Sequence, residues 1–246
     1  IFVLLTLLIA VPSAIKVFNW LTTLWRANIR FTPGMLFAIG FISMFISGGL
    51  TGIFLGNSAL DIHLHDTYFV VAHFHIVMGV ASFMGMFAGV YHWFPLMYGR
   101  FLNTTLAYIH FWITLIGAYL IFWPMHYQGL AGMPRRYYDF SNWESFKQFG
   151  GLNEFISLVA MIVFAAQLLF VFNFFYSIFK GRKVTKKNPW NATTLEWTTP
   201  IRPGHGNWPG EIPEVHRWAY DYAKETKDGS DFIPQNVPIG DDEEKH

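Results

Sequence analysis

Residues 61–79 read DIHLHDTYFVVAHFHIVMG. Asp61, His63, His65 and Asp66 stand just ahead of an apolar run, and His73 and His75 stand inside it. Residues 68–97 are long and apolar enough to cross a bilayer as one helix, since a hydrocarbon core takes about 20 such residues. At roughly 100° per residue, positions two apart point about 200° away from each other. His73 and His75 therefore leave opposite faces. Histidines spaced four apart could share one metal, as in HExxH, but these two cannot do so without unwinding the helix. If both are ligands, each serves its own centre, with the helix between them. A lone intramembrane histidine is as often a satisfied polar residue of a bundle. Two of them flanking Phe74, with His65–Asp66 upstream, tip the reading toward ligation, because ionisable groups inside a bilayer are costly and mostly functional.

Composition places the whole chain in the same class. Hydrophobic residues make up 53% of its 246 positions and charged residues 13%, about half the charged share of soluble domains. The charge is also segregated: before Lys180 there are only Lys16, Arg26, Arg30, Arg100, Arg135, Arg136 and Lys147 against Asp61, Asp66, Asp139, Glu144 and Glu154. With no cysteine, disulfides and thiolate metal sites are excluded. A net charge of +1 gives no sign of nucleic-acid binding. The expectation is an all-α, polytopic membrane bundle of about five helices over 1–180, followed by a Pro-rich, charged tail over 181–246.

HDTYFVVAHFH resembles the signature of subunit I of the haem-copper cytochrome c oxidases. That resemblance implies that His73 is the axial ligand of a high-spin haem and His75 a ligand of a low-spin haem. MPRRY resembles the family motif whose arginines, here Arg135 and Arg136, bind haem propionates, and Asp61 matches a carboxylic residue beside one of them. His65–Asp66 matches a pair that ligates magnesium or manganese. His63 has no counterpart in the pattern.

The chain begins at Ile1 within an apolar run that lacks the basic region of a signal peptide, which reads as a cut within a longer polypeptide. Spans are expected over 1–25, 33–57, 68–97, 102–127 and 151–179. Pro12 should kink the first, because it removes a main-chain donor. Lys16 shares a face with Ser13, three residues away, and has apolar residues on either side. A lysine near a helix end can snorkel, but this one is poorly placed to do so. PSAIKVF resembles a family segment whose lysine belongs to a proton-uptake channel, so Lys16 and Ser13 are candidate channel residues. In the second span Gly48, Gly52 and Gly56 form a ridge of small residues where another helix can approach. The surrounding GGLTGI also matches the family. Pro95, Gly99 and Arg100 read as stop signals for the third span. His92, His110 and His126 read as core or interfacial histidines rather than ligands.

Lys180, Arg182, Lys183, Lys186 and Lys187 place the end of the fifth span on the cytoplasmic side by the positive-inside rule. Counting back, the 55–67 and 129–150 loops fall outside, where Arg135 and Arg136 are anomalous. A guanidinium pair suits bidentate capture of carboxylates. LEWTTP and PGHGNWP resemble the family's cytoplasmic tail. A short helix is expected over 214–225, and DDEEKH reads as a disordered acidic end.

The resemblance covers about residues 1–200 and the last five of the family's twelve spans. It implies two haems, of A type, together with copper whose ligands lie outside this segment. The partners it implies are the N-terminal part of subunit I, a copper-bearing subunit II, subunit III, cytochrome c and the lipid bilayer. The implied reaction takes electrons from cytochrome c to reduce dioxygen to water, coupled to proton translocation. The location is an energy-transducing inner membrane, bacterial in preference to mitochondrial. A quinol oxidase would replace the His-Asp of HDT, and a nitric oxide reductase would lack Lys16. A non-catalytic dihaem electron carrier would need the histidines but neither Lys16 nor the outer pair. An ion transporter would leave HFH unexplained.

Overall fold

The computed structural model describes residues 1–219, 221 and 233–239. Among them the extended elements are helices, and the β pairing consists of two isolated bridges, Thr67 with Pro134 and Arg100 with Lys183. Five helical stretches are long and apolar enough to cross a membrane: Val3–Leu24, Pro33–Gly56, Tyr68–Tyr98, Thr104–Leu130 and Glu144–Lys180. The all-α, polytopic expectation holds, with span ends shifted by a few residues.

The first span is two helices, α1 (Phe2–Leu8) and α2 (Ala10–Leu24), joined at Ile9. Pro12 has no N–H to offer the Leu8 carbonyl, and the ladder opens just there. Ser13 Oγ donates to the Ile9 carbonyl at 3.0 Å. Trp20 lays its edge on Phe41 and Phe45 of the second span, with ring centroids 4.8 and 5.3 Å apart.

That second span is α3 (Pro33–Gly56), with Thr32 at its N-cap and Pro33 in the first turn, where a missing donor costs nothing. Asn57 closes α3 and caps α4 (Ser58–Leu64), accepting from Ala59 N at 3.0 Å. Thr67 caps α5 (Tyr68–Phe74): its hydroxyl accepts from Phe69 N and donates to the Leu64 carbonyl. A π-helical turn, His75–Val80, then leads into α6 (Ala81–Tyr98). Pro95 lies inside α6 instead of ending it; the stop is Gly99, at φ +67°, a left-handed position that glycine fills without strain.

The fourth span is α7 (Thr104–Leu130) and the fifth is α8 (Gly150–Lys180). Near the end of α7, Gly129 meets the main chain of Phe69 so closely that any Cβ would overlap it. One apolar core joins the second, third and fourth spans through buried Met44, Ile76, Ala81 and Ala118. A second joins the fourth and fifth through Ile121, Ile156 and Val159. His110 is buried between them, bonded to Tyr91 Oη and Gln167 Oε1 at 3.2 and 3.1 Å, which is the core role expected of it.

Contacts divide the chain into two compact units, one of residues 1–92 and 104–173, the other of 93–103 with 174–246. In the second unit, Arg202 N donates to the Leu96 carbonyl and Phe101 N to the Arg182 carbonyl, both at 2.8 Å. The Arg182 guanidinium lies 4.5 Å from the centre of the Phe101 ring. The helix expected over 214–225 does not form across 214–219. Instead His216 N donates to the Gln235 carbonyl, and the buried Arg217 reaches the Val237 and Pro238 carbonyls and Asp221. Those bonds take the main chain away from helical partners. Residues 222–225, and the DDEEKH end, lie outside the described residues.

Candidate functional site

The two histidines of the third span turn toward different neighbours. His73 faces α3, where its Nδ1 lies 2.8 Å from the Gly48 carbonyl and 3.1 Å from Thr51 Oγ1. A carbonyl only accepts, so Nδ1 carries the proton. The Thr51 hydroxyl spends its own hydrogen on the same carbonyl, at 2.7 Å, which leaves its lone pair for Nδ1–H. The Nε2 lone pair of His73 is thereby free, and its tautomer and ring plane are fixed. A metal-ligating imidazole needs this arrangement, in which the outer hydrogen bond orients the ring and raises its basicity.

The wall facing that ring is Gly52. A Cβ there would stand 2.7 Å from His73 Cε1 and 3.3 Å from Nε2. One turn earlier, a Cβ on Gly48 would stand 2.5 Å from Val77 N. The small-residue ridge thus serves two ends at once. Gly48 admits the third span and lends its carbonyl, while Gly52 leaves room for the imidazole.

His75 faces α7. Its Nδ1 donates to the Val71 carbonyl at 2.9 Å, which again leaves Nε2 with an open lone pair. Phe122 of α7 stacks on the ring at 4.8 Å and 11°, fixing its plane from the other side. The π-turn begins at His75 itself. Such an inserted residue widens the helix, and π-turns cluster at functional sites. Here it lets the Val71 carbonyl sit beside Nδ1 while returning Ile76 to the core.

Ahead of α5 and beyond the C-terminal end of α7 the 61–68 and 133–137 segments are zipped together. Arg135 N donates to the Asp66 carbonyl at 2.9 Å, and Tyr68 N to the Met133 carbonyl at 3.0 Å. The Arg135 guanidinium pairs with the Asp66 carboxylate at 2.5 Å. His65 Nε2 is 3.7 Å from the same carboxylate, and His65 Nδ1 is 3.8 Å from Asp61. Asp66 takes a left-handed conformation, φ +58°, which aspartate tolerates better than most residues. The structure thus gathers Asp61, His65, Asp66 and Arg135, and leaves Arg136 and His63 exposed on their own segments. Among the described residues no three metal-ligating side chains converge.

Lys16 and Ser13 lie far along the chain from this cluster, on α2. Ser13 is half-buried, whereas Lys16 is exposed. Sequence reasoning missed three parts of the site: the Gly48 carbonyl with Thr51, the Phe122 stack and the π-turn. The first had a signal in the four-residue glycine spacing. The other two had none, because they depend on which span lies beside which.

Residues 1–162 match the family model described as cytochrome C and quinol oxidase polypeptide I. The chain is 54% identical over 235 residues to the alternative cytochrome c oxidase subunit 1 of Bradyrhizobium diazoefficiens, covering 95% of this chain and 39% of that protein. It is 46% identical to cytochrome c oxidase subunit 1 of Thermostichus vulcanus (93% and 40% covered). With the subunit 1 of Cereibacter sphaeroides the identity is 41% (88% and 38% covered). The chain spans about two fifths of the length of the curated relatives it matches.

Proposed function

The chain belongs to the cytochrome C and quinol oxidase polypeptide I family, and on that premise we propose that it carries one axial ligand for each of two haems in a membrane-embedded terminal oxidase. The observation that carries this reading is the pair of imidazoles two residues apart. Each has Nδ1 tied to a main-chain carbonyl and Nε2 open, and they face α3 and α7 respectively. Both fit a haem iron: the donor is the right nitrogen, its tautomer is fixed, and Gly52 keeps the approach to His73 clear. When bound, two haems of A type and a copper held by residues outside this chain would supply electron transfer and the reduction of dioxygen to water.

What the chain's own residues contribute is position and charge. His73 serves the high-spin haem and His75 the low-spin haem. Arg135 and Arg136 offer guanidinium donors to propionate carboxylates at the outer end, with Asp61 beside them. Asp66 already holds Arg135, so an arriving propionate would share that guanidinium. His65 and Asp66 supply at most half of a magnesium or manganese shell, since such ions take about six oxygen-rich ligands. The remainder would come from water and a partner subunit.

Lys16 is the proposed proton carrier of the first span, with Ser13 next to it. A lysine turned toward lipid at mid-membrane is costly, so its exposed flank is a face for the remaining part of the subunit to cover. A copper-bearing subunit II, subunit III and cytochrome c complete the proposed assembly. It would sit in a bacterial inner membrane, with the 181–246 segment as a cytoplasmic tail. Retention of His65–Asp66 supports cytochrome c over quinol as donor. Lys16 supports an oxygen reductase over a nitric oxide reductase.

The test is a pair of variants in the assembled complex. His75→Ala should remove the low-spin bands, and His73→Ala the signal that responds to carbon monoxide. If either change erased both haems equally in an intact complex, the assignment of separate centres would fail.

A further inference from the structure

Three hydroxyls form a closed chain between α3 and α7 at the depth of the two histidines. Tyr119 Oη lies 2.9 Å from Ser43 Oγ and 2.7 Å from Ser47 Oγ. Ser47 Oγ donates to the Ser43 carbonyl at 2.8 Å. That bond consumes the only hydrogen on Ser47 Oγ, so Tyr119 must donate to Ser47 and accept from Ser43. Every hydrogen in the cluster then has a defined acceptor. In a bilayer no water competes for such groups, and interhelical hydroxyl bonds are directional where apolar packing is not.

The placement of this chain is what gives it a function. Ser47 is the neighbour of Gly48, whose carbonyl holds His73. Tyr119 is one turn from Phe122, whose ring holds His75. The third span carries both histidines and is gripped from α3 on one side and α7 on the other. Around the cluster, Met44, Ile76 and Ala118 supply only apolar contact, which would let the two grips slide relative to each other.

We propose that Tyr119, locked by Ser43 and Ser47, is a positioning residue that sets the two histidine supports relative to one another and so tunes both haem sites together. The inference rests on the haem assignment above and goes beyond it, because none of these three side chains ligates anything.

The experiment uses the whole assembled complex with Tyr119→Phe, which keeps the ring and deletes the hydroxyl. The low-spin ferric signal reports on His75 and the carbon monoxide difference spectrum on His73. Both should shift while haem content stays at the wild-type level. Ser47→Ala should reproduce the paired shift, and Ser47→Thr, which restores a hydroxyl, should reverse it. A merely local packing role would move one haem only, as Phe122→Leu should at His75. A shift confined to one site, no shift at all, or failure of threonine to rescue would overturn the proposal. Should Tyr119→Phe fail to assemble, the Ser47→Ala and Ser47→Thr pair decides on the same readouts. Spin labels on α3 and α7 give a readout independent of haem: Tyr119→Phe should broaden their separation, and an unchanged distribution would overturn the latch. A wild-type complex devoid of haem would instead overturn the haem assignment, with the label distances still deciding the latch.

Discussion

Gly52→Ala adds one methyl group directly in front of His73. Its Cβ would stand 2.7 Å from Cε1 and 3.5 Å from Nδ1. Carbon atoms pack at about 3.5 Å or more, so the ring must retreat by about 0.8 Å. The imidazole is rigid and held at Nδ1 by the Gly48 carbonyl at 2.8 Å. A retreat of that size either breaks this bond or displaces the whole side chain from the position proposed for ligation. Overpacking of this kind costs about 1–3 kcal/mol, and losing the hydrogen bond adds about 0.5–1.5 kcal/mol. Metal–ligand distances tolerate only about 0.2 Å, so the proposed bond to iron cannot absorb the displacement. The expected outcome is a complex that assembles and keeps its low-spin bands but has a weakened or absent carbon monoxide response. Difference spectroscopy with a haem count on the purified complex measures both at once. A normal response at full haem content would show that His73 does not depend on the Gly52 clearance, and the account of that wall would be wrong.

Lys16→Met keeps the length and apolar stem of the side chain and removes its proton-carrying group. Turnover should fall nearly to zero with both haem spectra intact, and Ser13→Ala should slow it more mildly. Oxygen uptake at the wild-type rate in Lys16→Met would leave Lys16 as a snorkelling surface charge. Between α4 and α5, His65→Ala or Asp66→Ala should deplete magnesium or manganese in metal analysis while both haems stay bound. An unchanged content of both metals in both variants would remove the site.

The spans and the histidine pair were legible because they depend on local pattern alone. Twenty-odd apolar residues in a row, with few charges, have one physical solution in a bilayer. A two-residue spacing on a helix fixes the faces of His73 and His75 before any neighbour is known. Local signals also misled. Pro95 reads as a stop, yet the helix runs through it to Tyr98 because Gly99 alone supplies the left-handed conformation that ends it. The sequence over 214–225 reads as a short helix, yet the main chain of His216 and Arg217 is claimed by Gln235 from farther along the chain. What the sequence could not display was contact across spans. Thr51 beneath His73 and Phe122 above His75 are ordinary residues in their own helices. They matter only once α3 and α7 stand on either side of α5.

Placing two proposed ligands on one helix creates a problem that this arrangement addresses. A histidine held only by its own helix would follow every rotation of that helix, and correcting one ring would misplace the other. Here each ring has a second support on a different span, the Gly48 carbonyl for His73 and the Phe122 face for His75. Rotating α5 either way would lengthen the bond on one side and press the ring on the other. The third span is therefore fixed in rotation by opposed contacts, not by its own rigidity. The π-turn fits that logic, since it gives the helix after His75 an extra residue, so that Val77 can meet Gly48 and Ile76 the core without turning either imidazole. Opposed supports work only if they are themselves at a fixed separation. The one directional tie between α3 and α7 at this depth among the described bonds is the hydroxyl chain through Tyr119.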